Sequence, residues 1–248
     1  MTWSLGAGLV AALVGAASGW FVPRLIARIP EPEEAEHKEP YAAIAARPGL
    51  AWKCATASAL VAGSLGARVG WQPELVFLLV LATVGVALSV IDWRTRLLPT
   101  KLIAPTYVVV VPLVVLAAAL GGEWQTLLRA GLAWLAGFAV FFALWFIYPA
   151  GLGYGDVRLS GLLGIALGWF GWDALLAGLY TGVLLGTVFG GALTAARRLT
   201  RKSHYPMGPF LLIGTWLTVA FTPYVVGVYA WLLGGLTGLV AAGLNLVG

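Results

Sequence analysis

Apolar residues fill the 248-residue chain in long runs that only short polar gaps interrupt. Bounding each run by charge or proline predicts helices near 3–22, 51–69, 73–91, 102–121, 126–148, 157–170 and 173–195, followed by a tract from 209 to 246. A helix needs about 20 consecutive apolar residues to cross the hydrocarbon of a bilayer, so these runs read as membrane spans. The last tract holds 38 residues with Pro223 inside it, too many for one untilted crossing at a rise of about 1.5 Å per residue. Eight or nine spans fit. The expected fold class is an all-α, polytopic transmembrane helix bundle of about eight spans. Residues 1–22 form the first span, 23–50 a short cytoplasmic loop, and 51–246 the membrane core.

Composition narrows the class further. Hydrophobic residues make up 60% of the chain and charged residues 10%, against about 25% charged in an ordinary soluble domain, so no sizeable soluble domain fits between the spans. The first 22 residues lack a cationic leader region and a small-residue cleavage pattern, and the first span is expected to be kept.

The net charge of +5 raises the question of a nucleic-acid partner, because clustered cations neutralise phosphates. Position answers it. With the N-terminus outside, Arg24, Arg28, Lys38, Arg47, Lys53, Arg94, Arg96, Lys101, Arg158, Arg197, Arg198, Arg201 and Lys202 all fall in cytoplasmic segments, leaving only Arg68 and Arg129 on the other side. Cytoplasmic loops retain Lys and Arg, so the basic charge is a topology signal, available also to anionic lipid heads. No nucleic-acid partner is expected.

Within the 23–50 loop, residues 31–40 carry five acids and two prolines, a composition that resists packing, and His37 there reads as a solvated side chain. The lone Cys54 can form neither an internal disulfide nor a zinc site by itself and reads as a packing thiol. Gly178, Gly182, Gly186 and Gly190 recur every four residues, a stripe that lets a neighbouring backbone approach closely. The same smooth face would also allow a substrate helix to slide or tilt past it.

Chemistry has few places to reside. Of ten acids, five lie in the 31–39 loop, and Glu74, Glu123 and Asp173 sit in turns on the outer side. Asp92 and Asp156 remain, each beside long apolar runs, where acids face a protein interior or a wet cavity. Both map to cytoplasmic ends of spans. Asp92 is followed by a polar turn and Leu97-Leu98-Pro99. Asp156 closes Gly151-Leu152-Gly153-Tyr154-Gly155, whose alternating glycines break the helix and admit approaches that a Cβ would block, as an extended substrate strand beside a catalytic acid requires. Two adjacent carboxylates do not both ionise cheaply, so one can take a proton from water while the other donates to a scissile carbonyl. The residues leave two other readings open: Asp156 as a helix N-cap with Asp92 as a boundary residue, or the pair as proton carriers in a non-enzymatic transporter.

Four segments in order resemble the prepilin leader peptidases, a family of GxGD-type intramembrane aspartic proteases. Residues 18–30, ending Arg28-Ile29-Pro30, look like the close of the family's first span. Asp92 through Pro99 resembles its first aspartate motif, Gly153-Tyr154-Gly155-Asp156 its second, and Pro206-Met207-Gly208-Pro209-Phe210 a later segment. The resemblance implies that Asp92 and Asp156 are the catalytic dyad of a peptidase core over 51–246. The substrate would be the helix of a prepilin or pseudopilin, cut at the cytoplasmic face of the inner membrane. Gly153 and Gly155, beside which the cut junction would lie extended, are candidate substrate-binding residues, and Arg158 is a third, with membrane-edge anchoring as its other reading. Fuller members carry a zinc-binding, Cys-rich insertion after the first span and also N-methylate the trimmed product. Here 23–50 has no cysteine, so neither metal nor other cofactor is expected, and methyl transfer lacks that domain although Arg28-Ile29-Pro30 is present.

Overall fold

The computed structural model describes residues 3–31, 38–149, 151–195, 206–222, 224–229 and 231. Among the described residues ten helices are laid out in order: α1 Leu5–Trp20, α2 Val22–Ala27, α3 Tyr41–Ala45, α4 Leu50–Val69, α5 Glu74–Thr95, α6 Thr100–Gly121, α7 Trp124–Ile147, α8 Tyr154–Phe170, α9 Trp172–Ala195 and α10 Gly208–Ala220. Five stretches are long and apolar enough to cross a membrane: Leu5–Ala27, Glu74–Thr95, Thr100–Gly121, Trp124–Ile147 and Trp172–Leu193. Outward-facing Leu9, Leu13, Val108, Leu120, Leu176 and Val188 are all exposed. Helices that stay apolar on their outer faces as well as their inner ones are membrane helices, and the protein is a multi-pass membrane protein. His37, His204, Arg197, Arg198, Arg201, Lys202, Pro223 and the whole tract beyond 231 lie outside the described residues.

Local chemistry sets the helix ends. Ser4 caps α1, its hydroxyl accepting from the Ala7 N–H at 3.4 Å, while Pro23 sits in the first turn of α2, where its missing N–H costs nothing. Gly49, Gly70 and Gly122 bound α4 and α6 at φ of 75°, 77° and 69°, conformations that glycine adopts without penalty. Arg96 alone among the described non-glycine residues has positive φ, 55°, and its N–H closes α5 on the Asp92 carbonyl at 2.8 Å.

Helix α8 is the axis of the bundle, with 13 of its 17 residues buried. Its glycines make this possible. A Cβ on Gly164 would lie 2.6 Å from the Ala133 carbonyl oxygen, and one on Gly168 would lie 2.3 Å from the Ala133 Cβ, so α7 packs backbone to backbone along it. At the C-terminal end of α8, Arg129 donates to the Gly168 and Trp169 carbonyls at 2.7 and 2.6 Å, satisfying acceptors that have no intrahelical partner.

Small residues also seat α1 on α4. A Cβ on Gly15 would come within 2.5 Å of the Ser58 carbonyl oxygen, and one on Gly66 within 2.4 Å of the Ala11 Cβ. The predicted stripe on α9 works in the same way: Gly178 faces Leu167 of α8, Gly182 the Leu211 backbone and Gly186 the Met207 sulfur. Here the packing reading of the stripe holds.

The 23–50 segment, expected as a short cytoplasmic loop, carries two short helices, while residues 32–37 of its acidic stretch lie outside the described residues. Helices α2 and α3 bury Ile26, Tyr41 and Ile44 in one core cluster with Ile91 of α5, Leu102 and Ile103 of α6, and Val157 of α8. Glu31 accepts the Tyr41 N–H, and Glu39 pairs with Arg47 at 2.8 Å. Glu31 and Glu39 are used as local partners, and three apolar residues, too few and too scattered to give a period, fasten the segment to the bundle.

Candidate active site

Asp92 stands in the last turn of α5 and Asp156 in the first turn of α8, at one end of the bundle. Both are buried, with 4% and 7% of their surfaces exposed. The Asp92 carboxylate acts electrostatically on Asp156, so the two acids are neighbours, 64 residues apart in sequence. Arg129 of α7 meets the far end of α8 at Gly168, 12 residues beyond Asp156, about 18 Å along that helix at 1.5 Å per residue.

Each carboxylate is held by a main-chain N–H at the start of a helix. Asp92 Oδ2 accepts from the Gly208 N–H at 3.0 Å, at the first residue of α10. Asp156 Oδ2 accepts from the Gly153 N–H at 3.2 Å, the N-cap of α8. The N-cap alternative is thereby half right. Asp156 is the third residue of the helix, reaching back to a glycine that has no side chain to reciprocate, as in one arm of a capping box. Its other oxygen, Oδ1, is buried with no hydrogen-bond partner. Unpartnered buried oxygens are costly by about 1–3 kcal/mol and collect at functional sites.

Leu98 fills the space between Gly155 and Gly208. A Cβ on Gly155 would lie 2.6 Å from Leu98 Cβ and 3.2 Å from its carbonyl oxygen. One on Gly208 would lie 2.9 Å from Asp92 Oδ2 and 3.1 Å from Leu98 Cδ2. The turn after Asp92 is therefore wedged between the starts of α8 and α10, and it couples the positions of both acids.

The glycine break is used differently from the sequence expectation. Gly155 lies within α8, and the close approach that it permits is taken by Leu98, while Tyr148 occupies the space beside Gly151. Gly153 is exposed, with ordinary extended backbone at φ −74° and ψ 143°. Arg158 is directed to Thr100, to which its guanidinium donates, and lies 4.4 Å over the Tyr154 ring; its carbonyl accepts from Tyr107 at 2.8 Å. Two contributors escaped the sequence reading: Gly208 as a donor and Leu98 as a wedge. Both lie in segments legible as motifs, but which atom each one meets is set only by the fold. Cys54 is buried in the packing of α4.

Residues 79–195, from within α5 to the end of α9 and including both aspartates, match the model of the type IV leader peptidase family. The chain belongs to that family. The prepilin leader peptidase/N-methyltransferase of Pseudomonas putida is 32% identical over 174 residues, covering 67% of this chain and 55% of that protein. That of Aeromonas salmonicida is 34% identical over 149 residues, 57% of this chain and 47% of the relative, and that of Pseudomonas aeruginosa 27% over 178 residues, 70% and 59%. The match thus spans about half the length of these relatives. No solved structure matches. Nothing in these matches favours the transporter alternative.

Proposed function

We propose that this leader peptidase family member is a membrane-embedded aspartic endopeptidase. It removes the leader of a prepilin or pseudopilin at the cytoplasmic face of the inner membrane, with Asp92 and Asp156 as the catalytic pair. The observation that carries the reading is two buried carboxylates from separate helices, each fastened by a backbone N–H, with Asp156 Oδ1 left unpartnered.

The reaction follows from the pair. One carboxylate, ionised, takes a proton from water as the water oxygen attacks the scissile carbonyl carbon; the other, protonated, donates to the carbonyl oxygen. Collapse of the tetrahedral species breaks the C–N bond, and the leaving nitrogen receives a proton from the pair. The wedge of Leu98 and the two N–H contacts hold both acids in place before substrate arrives, which is where preorganised sites gain their rate. Clustering of Arg24, Lys53, Arg94 and Lys101 near this end supports the cytoplasmic assignment.

The test is co-expression with a single-span prepilin. Asp92→Asn and Asp156→Asn are each expected to lower leader removal at least about 100-fold, the usual scale for loss of a general acid or base, with unchanged membrane insertion. Wild-type processing by either variant would sink the assignment. The mass of the mature N-terminus in the wild-type sample reports whether a methyl group is also added.

A further inference from the structure

Helix α6 starts at Thr100 and carries Pro105 inside it. A proline there offers no N–H to the Lys101 carbonyl, and its ring presses on that carbonyl, so the first turn of α6 is weakly joined to the rest of the helix. Thr106 adds a hydroxyl bond to the Leu102 carbonyl at 2.7 Å, a contact of the kind that bends helices. This weak turn adjoins the site. Pro99 and Thr100 directly follow Leu98, the wedge between Gly155 and Gly208, so a swing of residues 100–104 about Pro105 would carry Leu98 with it.

Arg158 of α8 meets both sides of the break. Before the proline, its guanidinium donates to the Thr100 hydroxyl. After the proline, its carbonyl accepts from the Tyr107 hydroxyl at 2.8 Å. Each contact has its own support. The guanidinium carbon lies 4.4 Å from the centre of the Tyr154 ring, whose face attracts a cation and fixes its direction. The indole N–H of Trp134, on α7, donates to the Tyr107 oxygen. Gly161 makes room for that meeting: a Cβ there would lie 2.7 Å from Tyr107 Oη and 3.1 Å from Trp134 Nε1. Helices α6, α7 and α8 are thus joined by polar contacts that converge on Arg158, two residues beyond Asp156.

We propose that Arg158 is a positioning residue that braces α6 across the Pro105 break, from Thr100 to Tyr107, and so keeps Leu98 wedged beside Asp92 and Asp156. Its effect on cleavage rests on the reading of those acids as the catalytic pair. The brace takes the place of substrate contact as the role of Arg158, because the guanidinium is already committed to a hydroxyl and a ring face. It also gives Thr100 and Tyr107, neither of them charged, a part in holding the acids.

Two measurements on the full-length chain in lipid vesicles test the brace. In cleavage of a single-span prepilin, counted per folded molecule, Arg158→Gln, Thr100→Val and Tyr107→Phe are each expected to lower kcat at least about tenfold with KM within twofold, since small displacements of reacting groups cost rate on that scale or more. Arg158→Gln combined with Thr100→Val is expected to lose no more than Arg158→Gln alone. Pro105 is exposed, and Pro105→Ala supplies the missing N–H; it is expected to leave wild-type kcat within twofold and to restore the kcat of Arg158→Gln to that range. Thr100→Val and Tyr107→Phe, close to isosteric, carry the same expectation if Arg158→Gln does not fold. The second measurement needs no cleavage. In the Asp92→Asn chain, amides of residues 100–104 are expected to exchange with solvent at least about tenfold faster once Arg158→Gln, or Tyr107→Phe in its place, is added, and to slow again with Pro105→Ala. A raised KM with unmoved kcat in Arg158→Gln would make the guanidinium a substrate contact, and failure of Pro105→Ala to rescue would give the loss another cause; either result overturns the brace. Faster exchange and its rescue in a chain that cleaves no prepilin would remove the peptidase reading and keep the brace, whereas cleavage with exchange unmoved would do the reverse.

Discussion

Single atoms decide how well the two acids are held. A methyl group at Gly155 would overlap Leu98 Cβ and one at Gly208 would press on Asp92 Oδ2, so Gly155→Ala and Gly208→Ala are expected to shift the acids rather than remove them. A loss of about 30-fold in kcat for each corresponds to about 2 kcal/mol of transition-state stabilisation. Kinetics on purified protein that retains the wild-type thermal midpoint checks it; unchanged kcat in both would show that Leu98 does not couple the acids. Arg96 offers the opposite experiment. Its left-handed backbone costs a residue with a Cβ about 1 kcal/mol, and its side chain is exposed. Arg96→Gly is therefore expected to raise the thermal midpoint by a few degrees with activity intact. A lower midpoint would mean that the guanidinium makes a contact worth more than the backbone relief.

Among the elements, long apolar runs were legible because a membrane span announces itself by length, and seven of the eight predicted runs coincide with α1 and α4–α9 to within a few residues. What failed was short and tertiary. Helix α8 starts at Tyr154 rather than 157 because Gly153 serves as the N-cap and Gly155 is helical; glycine at 155 reads as a break in sequence but is a clearance for Leu98 in space. Helices α2 and α3 were invisible because Ile26, Tyr41 and Ile44 gain their meaning only against Ile91 and Val157. The aspartates were legible because charge is rare in such a chain, while their holders were not, since a backbone N–H leaves no trace in sequence. Packing at Gly182 carries its own prediction. Gly214 of α10 meets Gly182 so closely that a Cβ would lie 2.4 Å from the Gly182 nitrogen, and Gly214→Leu would push α10, with Gly208 on its first turn, away from Asp92. Loss of both stability and cleavage is expected, larger than for Gly131→Leu, where nothing lies within 4 Å; equal effects would mean that the α9–α10 contact does not position the donor.

For the molecule as a whole, the arrangement joins two demands that oppose each other. The acids must be dry enough to act as a pair, which α8 achieves by being buried on every side, yet a peptide must reach them from the membrane. On the proposed function, placing both acids at one end of the bundle resolves this by letting substrate enter from an edge rather than through the centre. The α2–α3 segment shares a core cluster with Ile91 and Val157, the sequence neighbours of Asp92 and Asp156, and is expected to be part of the site's wall. Tyr41→Ala and Ile44→Ala, each deleting a fully buried side chain, are expected to destabilise by about 2–5 kcal/mol on the scale of large-to-small core changes and to lower cleavage beyond the loss of folded protein. A solvated loop would tolerate both. Cleavage per folded molecule, measured at a temperature where both variants remain folded, separates the two pictures: a wild-type value would return 23–50 to the status of a tether, and a reduced one makes it the cover of the aspartate pair.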